Sequence, residues 1–223
     1  MVRPGYRARV TLGLDILLLN IDSQLRMVRE FEDAGYAMRA ADLIELTVAG
    51  RLILTGRWVK WVTVLDATPT GEPWLDASLA ALATSAKRLM PTDWMARHPG
   101  YSPVDTGLAE LARQGAVRVN SRRGTGRRTY TEVELLDAPR QAEVRGRLDR
   151  YLAAGSAADV LDWALAGLVH QCGLWIPGHF DRAEQRKFKE AAKGDRGRSK
   201  ASPVEATIRM LMSDAHNCRN VDP

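Results

Sequence analysis

Side chains able to do chemistry are sparse in this chain, and their spacing brings few of them together. The four histidines, His98, His170, His179 and His216, fall in unrelated segments and none lies in a zinc-ligand or triad spacing. His170 and Cys172 stand two apart in a helical stretch, which places them on different faces. Cys172 and Cys218 are the only cysteines, giving neither a disulfide framework nor a metal-ligand pattern. Asp66 and Asp76 flank a turn rich in proline and glycine, where carboxylates end strands and start helices. Gly124-Thr125-Gly126 lacks the strand-to-helix context of a phosphate-cradling loop. These spacings predict a non-catalytic protein with no cofactor and no metal.

Charge carries more information. The net charge of the 223 residues is +5. Residues 113–200 hold 18 Lys/Arg against 11 Asp/Glu, a local +7, while the remainder holds 14 against 16. Basic character concentrated in one half points to an anionic surface, either nucleic acid or lipid head groups. Arginine outnumbers lysine 26 to 6, which together with abundant alanine and glycine fits a GC-rich genome, so the clustering alone is informative. Its densest point is Ser121 to Arg128, with Arg122, Arg123, Arg127 and Arg128.

One further arginine stands out by its surroundings. Gly35 to Leu52 reads as a helix that is apolar almost all round, broken by Arg39, Asp42 and Glu45 and stopped at Gly50. Such a helix belongs in the middle of a helical domain. An arginine inside it requires an anion, supplied by a ligand or by a carboxylate such as Asp42 at helical spacing.

The elements that must position these residues follow from periodicity. Leu12 to Ile21 is one short buried helix, Ser23 to Asp33 a polar loop or short exposed segment carrying Phe31, and residues 34–49 the central helix. Arg51 to Leu54 and Arg57 to Asp66, around Thr55-Gly56, read as a hairpin. Pro73 opens a helix running to Lys87, whose Leu75, Leu79 and Leu82 give one buried face. After a connector with Trp94, Val104 to Arg113 is a short helix, and residues 116–133 form a second hairpin with a basic tip. Helices resume over 139–153, 157–174, 181–193 and 203–217, with a basic flexible loop over 194–202. The fold expected is mainly α: a compact single-domain helical bundle with two small β-hairpins, one of them protruding. Residues 1–8 form a loose basic arm and 9–220 the domain.

Nothing approaches about 18 consecutive apolar residues, and the basic N-terminus lacks the apolar core and cleavage site of a secretory signal. The expectation is a cytoplasmic chain. Helix, strand, basic tip and strand over 108–131 allow three readings. The tip is a wing touching DNA phosphates, a loop pressed on anionic lipid, or a charged hairpin end that keeps an edge soluble. The DNA reading needs a basic recognition helix, yet Val104 to Arg113 offers only Arg113 against Asp105 and Glu110, so nucleic acid is disfavoured. A homo-oligomer contact through the hairpin is the third class of function.

The order of segments LDILLLNID (14–22), GYAMRAADLIELTVAGRL (35–52), VLDATPTGEPWLDASL (64–79), LARQGAVR (111–118) and ALAGLVHQCGL (164–174) resembles the Golgi phosphoprotein 3 family, in the form of its bacterial members. The LIEL-x-x-x-GRL and D-x-x-P-T-G-x-x-x-LD patterns carry the likeness, which spans residues 12–217. The resemblance implies a mostly helical fold with a protruding hairpin, and a peripheral membrane protein binding phosphatidylinositol 4-phosphate or another anionic phospholipid. It also implies client membrane-protein tails as partners. Arg39 matches the family's pocket arginine, with Phe31 the nearest aromatic to the pocket tryptophan. The family's further arginine pair falls near Tyr101 and Val104, with Arg97 and Arg113 the nearest basic residues. Arg122, Arg123, Arg127 and Arg128 replace the apolar tip that eukaryotic members present to the bilayer.

Overall fold

The computed structural model describes residues 11–29, 31–96, 102–123, 129–154, 159–174, 183, 186–189 and 202–219. Its helices are α1 (Leu12–Leu19), α2 (Phe31–Val48), α3 (Pro73–Ala83), α4 (Pro91–Ala96), α5 (Pro103–Arg113), α6 (Ala138–Ala154), α7 (Val160–Gln171) and α8 (Pro203–Arg219). Three two-stranded antiparallel sheets interrupt them: β1 (Ile21–Asp22) with β2 (Met27–Val28), β3 (Leu52–Thr55) with β4 (Trp61–Val64), and β5 (Val117–Arg123) with β6 (Thr129–Leu135). The basic arm, the 155–158 link and most of the 194–202 loop lie outside the described residues.

The central helix is α2. It packs on α1, α3, α4, α5, α7, α8 and β3, so thirteen of its residues are buried, Arg39, Asp42 and Glu45 among them. Being apolar on nearly every face is what lets one helix serve so many neighbours. Gly50 ends it with φ 71°, and Arg51 then donates its amide to the Leu46 carbonyl at 2.8 Å.

α1 is buried along its whole length and lies against α2, α5, α6 and α7. The Asn20 amide closes its last turn on the Ile16 and Leu17 carbonyls, and side chains distant in sequence complete both ends. Thr11 caps nothing with its side chain; instead Glu45 Oε2 accepts from the Leu12 amide at 2.8 Å. At the other end, Gln141 Nε2 on α6 donates to the carbonyls of Leu18 (2.7 Å) and Ile21 (3.0 Å). Arg147, also on α6, pairs with buried Asp15 and with Asp162 of α7, joining three helices through one guanidinium. Gly167 on α7 faces the Met212 sulfur on α8 so closely that a Cβ there would overlap it.

Four local differences separate the structure from the sequence reading. The polar stretch 23–29 is a third hairpin rather than a loop, because Asp22 accepts from the amides of Gln24 and Leu25 (2.9 Å each) and Arg26 turns the chain at φ 53°. α2 starts at Phe31, three residues before the expected position. The strand β4 begins at Trp61 and not at Arg57, which leaves Arg57, Trp58 and Val59 in the connecting turn. The helix opened by Pro73 also stops at Ala83, and residues 85–90 run on as irregular chain.

Both sequence patterns singled out above are architectural. In 66–76, Asp76 accepts from the Thr70 amide (2.5 Å), the Thr70 hydroxyl (2.7 Å) and the Gly71 amide (3.2 Å), while Asp66 accepts from the Thr68 amide (2.9 Å) and pairs with Arg51. Each of these carboxylates thus folds the turn that carries it.

Candidate functional site

Arg39 lies at the middle of α2, 5% exposed. Its Nη1 donates to the backbone carbonyl of Trp94 at 2.9 Å, which ties α2 to α4. Asp42, one turn on, is fully buried. It accepts from Trp74 Nε1 at 2.7 Å and from the Ser78 hydroxyl at 2.6 Å, both on α3. Gly13 of α1 makes room for this cluster: a Cβ there would sit 3.2 Å from Trp74 Nε1 and 3.3 Å from Asp42 Oδ1. Burial pushes the Asp42 carboxyl up to about 7, against the two hydrogen bonds and the Arg39 charge, which favour its ionised form. Glu45 is driven well above the usual carboxylate range by burial and by the neighbouring Asp42 charge. Asp15 rises to about 6 through burial, opposed chiefly by Arg147. The interior of the bundle is thus a polar seam of Arg39, Asp42, Glu45 and Asp15, spoken for by protein groups.

Phe31 stands two turns before Arg39 on the same helix, at its first residue and 45% exposed. Eight residues of helix rise put about 12 Å between their backbone positions. Phe31 is therefore at the surface end of α2 and Arg39 in its interior. Of the residues near the second arginine position of the resemblance, Val104 is buried in the α5 contact, and Arg113 bonds Glu110 through Nε (2.7 Å) and Nη2 (2.5 Å). Arg97 and Tyr101 lie outside the described residues. Asp105, Glu110 and this paired Arg113 leave α5 without an open basic face among its described side chains.

The second candidate is the β5–β6 hairpin. It carries five arginines against two glutamates, and its register pairs Arg118 with Glu134, Asn120 with Glu132 and Arg122 with Tyr130. Arg118 bonds Glu134 at 2.7 Å and Arg122 bonds Glu132. Arg26, from the β1–β2 turn, reaches both glutamates at 3.1 and 3.2 Å, and the Arg26 carbonyl accepts from the Val133 amide at 2.8 Å. The third hairpin therefore buttresses the basic one. Sequence reasoning missed Arg26, since two-residue strands leave no periodic signal. Arg122 reaches solvent from its ion pair, with a side chain 55% exposed. Arg123 ends β5, and Arg127 and Arg128 lie outside the described residues.

Among the described residues no group of three or more His, Cys, Asp or Glu could hold a metal ion. Nor is any described helix long and apolar enough to cross a membrane. Comparison with curated proteins returns no match. The family model described as Golgi phosphoprotein 3 matches residues 12–212, which take in every helix from α1 to α7, all three hairpins and the first part of α8. With nearly the whole chain matched, the chain belongs to the Golgi phosphoprotein 3 family.

Proposed function

We propose that this chain is a non-catalytic peripheral membrane protein of the cytoplasmic face, drawn to anionic phospholipid head groups by its β5–β6 hairpin. The observation that carries this reading is the hairpin's charge. The hairpin carries five arginines against two glutamates, and both glutamates are engaged by Arg118, Arg122 and Arg26, so its sequence carries a net charge of +3. Basic residues near an anionic surface contribute about 1 kcal/mol each. Family membership supports membrane association in coarse terms.

Phosphatidylinositol 4-phosphate is the specific head group this reading favours. Arg39 and Phe31 are its proposed protein contacts, and client membrane-protein tails or a second copy of the chain its proposed partners. Arg39 is 5% exposed and its Nη1 donates to the Trp94 carbonyl, so a phosphate would meet only the guanidinium's other donors unless that bond is exchanged. Sedimentation with phosphatidylcholine vesicles, alone or with phosphatidylserine or phosphatidylinositol 4-phosphate, tests both levels. The expected result is salt-sensitive binding to both anionic mixtures that falls when Arg122, Arg123, Arg127 and Arg128 are changed to alanine. Absence of binding at low salt sinks the reading, and equal binding to both anionic mixtures at matched charge sinks the phosphoinositide preference.

A further inference from the structure

The β3–β4 hairpin has two unlike faces. Leu52, Leu54, Val62 and Val64 alternate inward against the helical core. The opposite face carries Ile53 (41% exposed), Thr55, Trp61, Thr63 and, one residue past β4, Leu65 (57%). At the tip, Trp58 is 87% exposed, by far the most exposed large apolar side chain among the described residues, with Val59 beside it at 45%.

This tip is held in shape. Gly56 adopts φ 103° and lies so close to the Val59 carbonyl that no Cβ fits, and Lys60 Nζ donates to the Gly56 carbonyl at 2.7 Å. Thr55 and Thr63 share a hydroxyl hydrogen bond of 2.9 Å across the strands. Trp58 is thus presented outward on a closed turn. Leaving a tryptophan in water on an ordered turn is unfavourable unless something covers it.

Charge around the tip identifies the cover. The Val62 amide donates to the Leu89 carbonyl at 2.9 Å, which lays residues 87–89 along β4. The Arg57 guanidinium sits 5.2 Å from the Trp58 ring centre, and that of Arg88 4.9 Å from the Trp61 ring centre. Arg57 and Arg88 thus lie against the two tryptophans, Lys60 and Lys87 stand in the same two segments, and neither 52–65 nor 84–90 contains an Asp or Glu. Tryptophan flanked by lysine and arginine is the composition that settles at a bilayer's head-group level, where the indole has one wet edge and the cations meet phosphate.

We propose that the β3–β4 tip is a second membrane-contacting element, in which Trp58 enters the interface of an anionic bilayer while Arg57, Lys60, Lys87 and Arg88 engage lipid phosphates. It deepens the membrane reading above and rests on it. It adds an anchor independent of the β5–β6 arginines.

The test uses the full chain with phosphatidylcholine–phosphatidylserine vesicles, half of them containing brominated phosphatidylcholine, which quenches indoles in the bilayer. Trp58→Phe is expected to sediment like the wild type while losing most of the bromine quenching, because Phe still partitions but the reporting indole is gone. Trp58→Ser is expected to weaken binding by about tenfold, the loss of one aromatic from the interface. Folding of both variants is checked by circular dichroism, and an exposed turn residue leaves it unchanged. Equal quenching in wild type and Trp58→Phe, or sedimentation of Trp58→Ser at wild-type level, overturns the proposal. So does a light-scattering mass that halves in Trp58→Ser, which would make the face a contact between copies. If Trp58→Ser binds normally while the four-arginine variant does not, this anchor fails and the hairpin reading stands. The reverse outcome keeps this anchor and removes the hairpin. A wild type that ignores anionic vesicles removes both.

Discussion

Glu45, in the middle of the central helix, caps a different helix: its carboxylate accepts the Leu12 amide at 2.8 Å, across 33 residues of sequence. Glu45 is the only charged residue of the LIEL segment (43–46), and it supplies the cap that Thr11 does not. Replacing Glu45 with alanine leaves a buried amide without an acceptor and is expected to cost about 1–3 kcal/mol. Glu45→Gln retains an acceptor oxygen and should cost clearly less. Urea denaturation midpoints of the two variants measure the difference, and equal losses would show that the cap is not what Glu45 contributes.

Buried carboxylates give the fold an unusual pH dependence. Asp42 and Asp15, with ordinary values near 3.8, are raised to about 7 and about 6 in the folded chain, and Glu45 is raised as well. Between the unfolded and folded values the native state holds more protons than the unfolded one, so stability falls as pH rises. These groups favour the fold fully below about pH 4 and lose that contribution as pH climbs through about 6 and about 7. Asp22 and Glu110 are shifted the other way, but both are solvent-screened pairs of small effect. Denaturation midpoints between pH 5 and pH 8 should decline, and Asp42→Asn, which keeps an acceptor for Trp74, should flatten the upper part of that decline. A midpoint that rises over this range would contradict the assignment.

Arg39 separates structure from recognition. Alanine at 39 removes the donor to the Trp94 carbonyl and a buried side chain, with an expected loss of about 2–4 kcal/mol. Arg39→Lys keeps a charge and one donor but not the planar fork. If Arg39 takes a phosphate, this variant remains folded and loses preference for phosphatidylinositol 4-phosphate over phosphatidylserine. If its work is confined to the α2–α4 contact, only thermal stability moves.

Glu132 should restrain the basic hairpin. It accepts from Arg122 and lies 3.1 Å from Arg26. Neutralising it as Glu132→Gln raises the positive charge facing a membrane by one, worth about 1 kcal/mol or roughly fivefold in vesicle affinity at low salt. Arg122→Ala should move affinity the opposite way. Vesicle titrations at two salt concentrations check both the directions and the salt sensitivity expected of a charge effect.

Much of this architecture was legible because it rests on long periodic segments. The all-round apolar run around Arg39 predicted a central helix, and α2 is one; Pro73 and Gly50 marked boundaries where the chain turns. What escaped was set by tertiary contacts or by single side chains. The β1–β2 pair has two residues per strand and is held by Asp22 and by the docking of Arg26 on β6, neither of which leaves a period. Trp58 was assigned to a strand because RWVKWVTV reads as continuous β-type sequence, whereas Gly56 at positive φ starts a turn that lasts until Lys60. At the candidate site, the sequence identified a buried arginine and a carboxylate one turn away. It could not reveal that Asp42 is held by Trp74 and Ser78 while Arg39 reaches Trp94, because those partners lie on α3 and α4.

The two ends of α1 set the order in which this protein can be completed during synthesis. Its first amide waits for Glu45, and the Leu18 carbonyl waits for Gln141, 123 residues on. Until α6 has left the ribosome, the first helix is an apolar segment with open backbone groups, a natural client for a chaperone. The first of the described helices is thus among the last to be finished. Truncation before residue 141 should leave a nascent chain that is degraded or held by chaperones rather than a smaller folded unit.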